Sequence, residues 1–190
     1  MTEYQGRSGA VPFVYFRYVD QSNPEIQKQM TDYMKDLATI HAVEERPDRF
    51  WLWDLEEFQA KTSPNISNLP FEDILDVFLR QTAYGEMYKD HIVRYENGTI
   101  QASRGWICMD NVDWNIVTEQ IDALVDQRAV TKRQPINRGR KDWAFFTYIN
   151  GKSTLSQNRP FECVYGKEIQ SLASSSNVLA KPMAFGSSIV

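Results

Sequence analysis

Between Arg94 and Met109 the sequence passes through a short apolar and aromatic stretch, the turn Glu96-Asn97-Gly98-Thr99, and then Ile100-Gln101-Ala102-Ser103-Arg104-Gly105-Trp106-Ile107-Cys108-Met109. Asn-Gly between two strand-like runs is the strongest short-range hairpin signal, because both central positions of a type I′ turn take positive φ. A β-hairpin over about 91–109 is therefore predicted, and any fold for this chain has to accommodate an antiparallel pair there.

The rest of the chain supplies partners for that hairpin. Val11-Pro12-Phe13-Val14-Tyr15-Phe16-Arg17-Tyr18-Val19 is apolar at both alternating sets of positions, which predicts a strand covered on two faces, with Pro12 at its first position or on an edge. Asn23 is a helix cap followed by Pro24 at the first helical position, and Ile26, Met30, Tyr33, Leu37 and Ile40 recur at helical spacing. Phe50 to Ala60 reads as a short helix with Trp51, Leu55 and Phe58 on one face. Pro70 to Gln81 reads as another, with Phe71, Ile74, Leu75 and Phe78 forming its stripe; the polar run Lys61 to Asn68 between them is a loop.

After the hairpin, Asp113 caps a helix predicted to run to about Arg128 with Val117, Ile121, Leu124 and Val125 inward. The run from Arg128 to Lys141 carries Arg128, Lys132, Arg133, Arg138, Arg140 and Lys141 with no acid, and reads as a solvated linker. Trp143 to Ile149 returns as a strand, Asn150-Gly151 turns, and Pro160 to Leu172 forms a last helix through Phe161, Tyr165, Ile169 and Leu172. Strand, helix, helical insertion, hairpin, helix, strand is the order of an α+β fold with a ferredoxin-like split βαβ sheet packed on helices. The expected organisation is a flexible terminus over 1–10, one domain over 11–172 with the insertion at about 45–83, and a Ser-rich disordered tail over 173–190.

Composition narrows the function classes. The net charge of -4, from 25 acidic against 21 basic residues, provides no basic footprint for nucleic acid. Aromatic residues make up 13% of the chain, which favours a packed domain over disorder. The chain lacks a charged segment leading into an apolar one at its start, and no window approaches the ~18–20 apolar residues of a bilayer span, so neither a signal peptide nor a membrane helix is expected.

Catalytic chemistry is not evident. There is no Gly-rich phosphate loop, no G-x-S-x-G elbow and no H-E-x-x-H helix, and no catalytic residue, metal site or cofactor is expected. A hydrolase would need His41 or His91 within hydrogen-bond reach of an acid or a thiol. Cys108 and Cys163 lack zinc-ligand spacing; either they form one bridge in an oxidising compartment or each is a small buried hydrophobe. Phe50, Trp51, Trp53 and Phe58 also have two readings, as a groove lining for a hydrophobic small molecule or lipid and as core. Asn65-Ile66-Ser67 and Asn97-Gly98-Thr99 are glycosylation sequons in predicted loops.

Ile100-Gln101-Ala102-Ser103-Arg104 resembles the "hydrophobe-x-Ala-Ser-Arg" strand in the extracytosolic loops of Patched-related transporters. Val11 to Phe16, the Asn23-Pro24-Glu25-Ile26 helix start, Phe50-Trp51-Leu52-Trp53-Asp54, Tyr88-Lys89-Asp90 and Ala144 to Tyr148 follow in the order found in such a loop, so the similarity spans roughly residues 11–172. The resemblance implies a porter-like domain of the resistance-nodulation-division type, on the extracytosolic or lumenal side of a membrane. It also implies other porter domains of a parent transporter as partners and sterols or other hydrophobic molecules as ligands. The ion-coupling acids of such transporters lie in membrane helices, and no such helix is read here, so a fragment or free-standing relative incapable of transport is expected. The alternative is a cytosolic α+β interaction module.

Overall fold

A computed structural model describes residues 12–43, 49–62, 68–109, 111–113 and 116–148 of the chain. The elements are β1 (Phe13–Arg17), α1 (Pro24–Ala38), α2 (Trp51–Lys61), α3 (Phe71–Arg80), α4 (Thr82–Tyr88), β2 (Ile92–Arg94), β3 (Ile100–Trp106), α5 (Val117–Arg133) and β4 (Phe145–Tyr148). The strands form one sheet in the order β2-β3-β1-β4. All of its neighbouring pairs are antiparallel. This is the split βαβ arrangement: β1 and β2 run in the same direction with β3 inserted between them. The fold is α+β, and α2, α3 and α4 are the helical insertion between α1 and β2.

Local chemistry explains the first helix directly. Asn23 Oδ1 accepts a hydrogen bond from Glu25 N at 2.8 Å, and Pro24 occupies the position where a missing N–H costs nothing. Met30, Tyr33, Met34 and Leu37 are fully enclosed. They meet Val14 and Phe16 of β1, also at 0% exposure, and Phe16 is the hub: its ring lies 5.0 Å from Phe145, 5.3 Å from Phe50 and 6.2 Å from Tyr33. Each such side chain contributes about 1.5–3 kcal/mol on burial.

The hairpin forms, but by a different turn. Gly98 alone takes a positive φ, +89°, while Gly98 N donates to Tyr95 O and Tyr95 N to Thr99 O, both at 2.9 Å. This is a longer loop closed by a left-handed glycine, with a register shift between Val93 and Arg94. Asn97 stays at negative φ and its side chain braces the loop instead, with Oδ1 accepting from Thr99 N and from the Thr99 hydroxyl.

Four further expectations are corrected. β1 is not covered on two faces, since only Val14 and Phe16 point into the core while Phe13, Tyr15 and Arg17 are half-buried on the other side. A fourth helix, α4, occupies Thr82–Tyr88, between the helix expected to end at Gln81 and the hairpin expected from about 91, where the sequence pattern predicts no element. It turns back so tightly on α3 that a Cβ on Gly85 would collide with Leu79 O. Helix α5 begins at Val117, not at an Asp113 cap, and continues to Arg133. Its inward face is Ala123, Gln127, Val130 and Thr131, leaving Val117, Ile121 and Val125 exposed at 64%, 52% and 54%. Finally, the basic run is folded: its first half is the end of α5 and Pro135–Asn137 is a 3-10 turn. The Pro160–Leu172 helix and the terminal segments lie outside the described residues.

Asn137 fixes that basic run to the sheet. Its Nδ2 donates to Thr131 O and Phe145 O, and its Oδ1 accepts from Ala144 N and Phe145 N, all between 2.8 and 3.1 Å. The side chain is 4% exposed, so each lost bond leaves a buried backbone group without a partner. Asn137→Ala is expected to lower unfolding free energy by about 3 kcal/mol or more, read as a shift of the urea midpoint.

Candidate functional site

Strand pairing aligns the outward residues of β1, β3 and β4 in rows. Phe13 lies opposite Trp106 on one side and Tyr148 on the other, and Tyr15 lies between Arg104 and Phe146. The rings are in contact: Tyr15 stacks on Phe146 at 5.1 Å and 12°, and Phe13 is 6.2 Å from Tyr15. Two arginines lie on this surface. The guanidinium carbon of Arg104 is 4.4 Å from the Phe13 ring centre, and that of Arg17 is 4.6 Å from Phe146. The open face of the sheet is thus a platform of half-exposed aromatic rings capped by cations, a surface suited to flat or apolar groups with an acidic end.

The Ala102-Ser103-Arg104 motif divides between the two faces because it lies on a strand. Ser103 points inward and links two elements: Trp51 Nε1 donates to Ser103 Oγ at 3.0 Å, and Ser103 Oγ donates to Gln21 Oε1 at 2.6 Å. Gln21 Nε2 in turn donates to Phe16 O. Arg104 points outward, where its Nε donates to His91 Nδ1 at 2.8 Å.

At the end of the sheet, a concavity of about 290 Å³ opens beside the platform, with Arg17, Arg128 and Lys141 in its lining. Nothing local in the sequence announces it, since it joins residues from three distant stretches. The basic run itself is the one hint.

The residues singled out by sequence are distributed as follows. Phe50, Trp51 and Phe58 are core residues at 1%, 0% and 9% exposure, and Trp53 is half-buried against Phe50 at 5.4 Å. The rings of Phe50, Trp51 and Phe58 are thus enclosed, and of the four only Trp53 keeps a partly exposed ring. Asp54, on the same helix, accepts from the Tyr88 hydroxyl at 2.5 Å; burial pushes the Asp54 carboxyl above its ordinary range, with the Tyr88 bond opposing. Burial likewise raises both the Tyr88 and the Tyr33 phenols.

Asn97 is exposed at the hairpin tip, whereas Asn65 lies outside the described residues. Cys108 is fully buried and disulfide-bonded; Cys163, its expected partner, lies outside the described residues. His41 is exposed, and the hydrogen-bond partner of His91 is an arginine, neither acid nor thiol. Among the described residues no group of three His, Cys, Asp or Glu is placed to hold a metal, and no helix is long and apolar enough to cross a membrane.

Burial, and then the nearby Arg104 charge, push His91 down to about 4 from its ordinary 6.5, with Asp90 acting in the other direction. In the unfolded chain His91 takes up its proton near 6.5, in the folded chain only near 4, so stability falls as pH drops between those values. His91→Gln removes this component: the urea midpoint of the variant is expected to decline less than that of the parent over the same pH range.

No protein-family model matches the sequence, and no curated protein matches it.

Proposed function

We propose that this chain is a non-enzymatic binding module of the kind found on the extracytosolic side of Patched-related transporters, and that it takes a hydrophobic molecule, a sterol or lipid, against the open face of its sheet. The observation that carries this reading is the set of half-buried rings Phe13, Tyr15 and Phe146 on the outward face of the sheet. Rings already stacked on one another have little rotamer freedom left to lose, so contact with an apolar ligand is gained at a small entropic cost. Other porter domains of a parent transporter are the partners this reading implies.

Two features support the extracytosolic side. Cys108 is disulfide-bonded, a state the cytosol disfavours, which weighs against a cytosolic interaction module. The Asn97 sequon is exposed at a turn tip, where a glycan can be attached.

A second reading has one observation in its favour: rings and arginines on a four-stranded sheet are also how single-stranded RNA is held. The net charge of -4 opposes it.

Titration with a fluorescent sterol, dehydroergosterol, tests the proposal through energy transfer from the chain's tryptophans. Tyr15→Leu combined with Phe146→Ala is expected to weaken binding roughly tenfold or more, since each ring contributes about 1.5–3 kcal/mol when covered. Trp53→Phe should leave the affinity unchanged. Equal affinity of the double variant, or saturable binding of a single-stranded oligouridine in place of the sterol, overturns the assignment.

A further inference from the structure

We propose that the concavity at the end of the sheet, where β1 stops and β4 begins, is a binding site for a phosphate group. The inference rests on the reading of the open face as a binding surface and adds to it the acidic end of the ligand, because Arg17 and Phe146 belong to both.

Arg17 is held ready for such a ligand. Its guanidinium lies between two rings, 4.7 Å from the centre of Tyr18 and 4.6 Å from that of Phe146, and its Nε donates to Trp143 O at 3.3 Å. The terminal nitrogens of the fork have no partner among the described residues, and a planar fork with both ends free matches two oxygens of an oxyanion. Tyr18 adopts φ +59°, a left-handed conformation that an aromatic residue seldom takes and that costs on the order of 1 kcal/mol or more. That backbone turn comes directly after β1 and sets the exposed Tyr18 ring against Arg17. Strain kept at the residue whose ring orders the cation is what a pre-organised site requires.

Two further cations, Arg128 and Lys141, share the lining with a single carboxylate, Asp142. Neither they nor Arg17 is in an ion pair among the described residues. Three cations drawn together without acids to match repel one another, and an anion between them relieves that repulsion. Their placement is enforced: Arg128 is carried by α5, Lys141 by the segment that Asn137 fastens to β4. The volume of about 290 Å³ selects among anions. It lies at the low end for small-molecule sites, which suits a phosphate monoester or a headgroup and leaves an apolar body to lie along the rings.

Inorganic phosphate at low ionic strength, followed by nitrogen-15 NMR of the intact chain, is the test. Saturable shifts are expected at the Arg17 Nε, the Trp143 indole and the Phe146 amide, and Arg17→Gln and Lys141→Gln should each weaken phosphate binding roughly tenfold. Arg138→Gln should not. Should Arg17→Gln fail to fold, Lys141→Gln carries the comparison, its position being exposed. Vesicles of phosphatidylcholine with and without phosphatidic acid then separate the sources. Arg17-dependent co-sedimentation with the acidic vesicles alone assigns a lipid headgroup, while phosphate binding without it assigns a free phosphate ester. Shifts that never saturate, or that spread evenly over Lys28 and Lys61, overturn the inference. Sterol binding with no phosphate site would overturn it and leave the reading of the face intact, whereas phosphate binding with no sterol would count against that reading alone.

Discussion

The central strand fixes both the core and the working face through one constraint, its side-chain alternation. β1 is paired along both edges, to β3 and to β4, so its register is set twice. Val14 and Phe16 are driven inward by the enclosed side chains of α1 and α2, which obliges Phe13, Tyr15 and Arg17 to face the other way. A slip of one residue would carry the Arg17 guanidinium into an apolar interior, at a cost of several kcal/mol, while exposing the hub ring of Phe16. Core packing therefore specifies the platform.

The Ala-Ser-Arg segment extends the same logic to the neighbouring strand. Ser103 accepts the indole of Trp51 and donates to Gln21, which ties the helical insertion and the β1–α1 connection to β3 by a buried polar chain. In a low-dielectric interior such a chain rigidifies only when each member is satisfied, and here each link has its donor and acceptor. One residue later the strand turns its side chain outward, and Arg104 reaches Phe13 and His91. The motif is thus a short stretch of strand that braces the core on one face and equips the platform on the other.

The parts legible in the sequence are those whose causes are local. The cap at Asn23, the proline after it and the apolar period of α1 decide that helix within its own residues, and the enclosed ring cluster of α2 is what helical spacing of aromatics most simply means. In helix α5 the apolar spacing points to the wrong face because two of its four inward residues, Gln127 and Thr131, are polar. Gln127 donates toward Met109 Sδ, Thr131 takes the Tyr33 hydroxyl at 2.6 Å, and Gln134 reaches Asp36, partners that sequence periodicity cannot see. Gly85 counts as a helix breaker in any propensity scale, yet α4 requires it, since the close return on α3 leaves no room for a side chain. The platform is hidden for a related reason. Phe13 and Tyr15 are apolar by composition, so alternation with Val14 and Phe16 looks like burial on both sides, and only pairing with Arg104 and Phe146 distinguishes a stacked surface from an interior.

The coexistence of rings and arginines on that surface favours an amphipathic ligand over a wholly apolar one. Bare aromatic rings on an open sheet invite association with other apolar surfaces, but a guanidinium laid over a ring keeps a hydrated charge at the surface while its own flat face remains in contact. A sterol lying along Phe13 or Phe146 gains apolar contact while Arg104 and Arg17 stay at the rim of that contact, hydrated but without a counter-charge. A ligand with an acidic end would add to that contact a counter-charge for Arg17, Arg128 and Lys141, which line one concavity. The rings set how much apolar area the face offers, and the cations set where a counter-charge can sit.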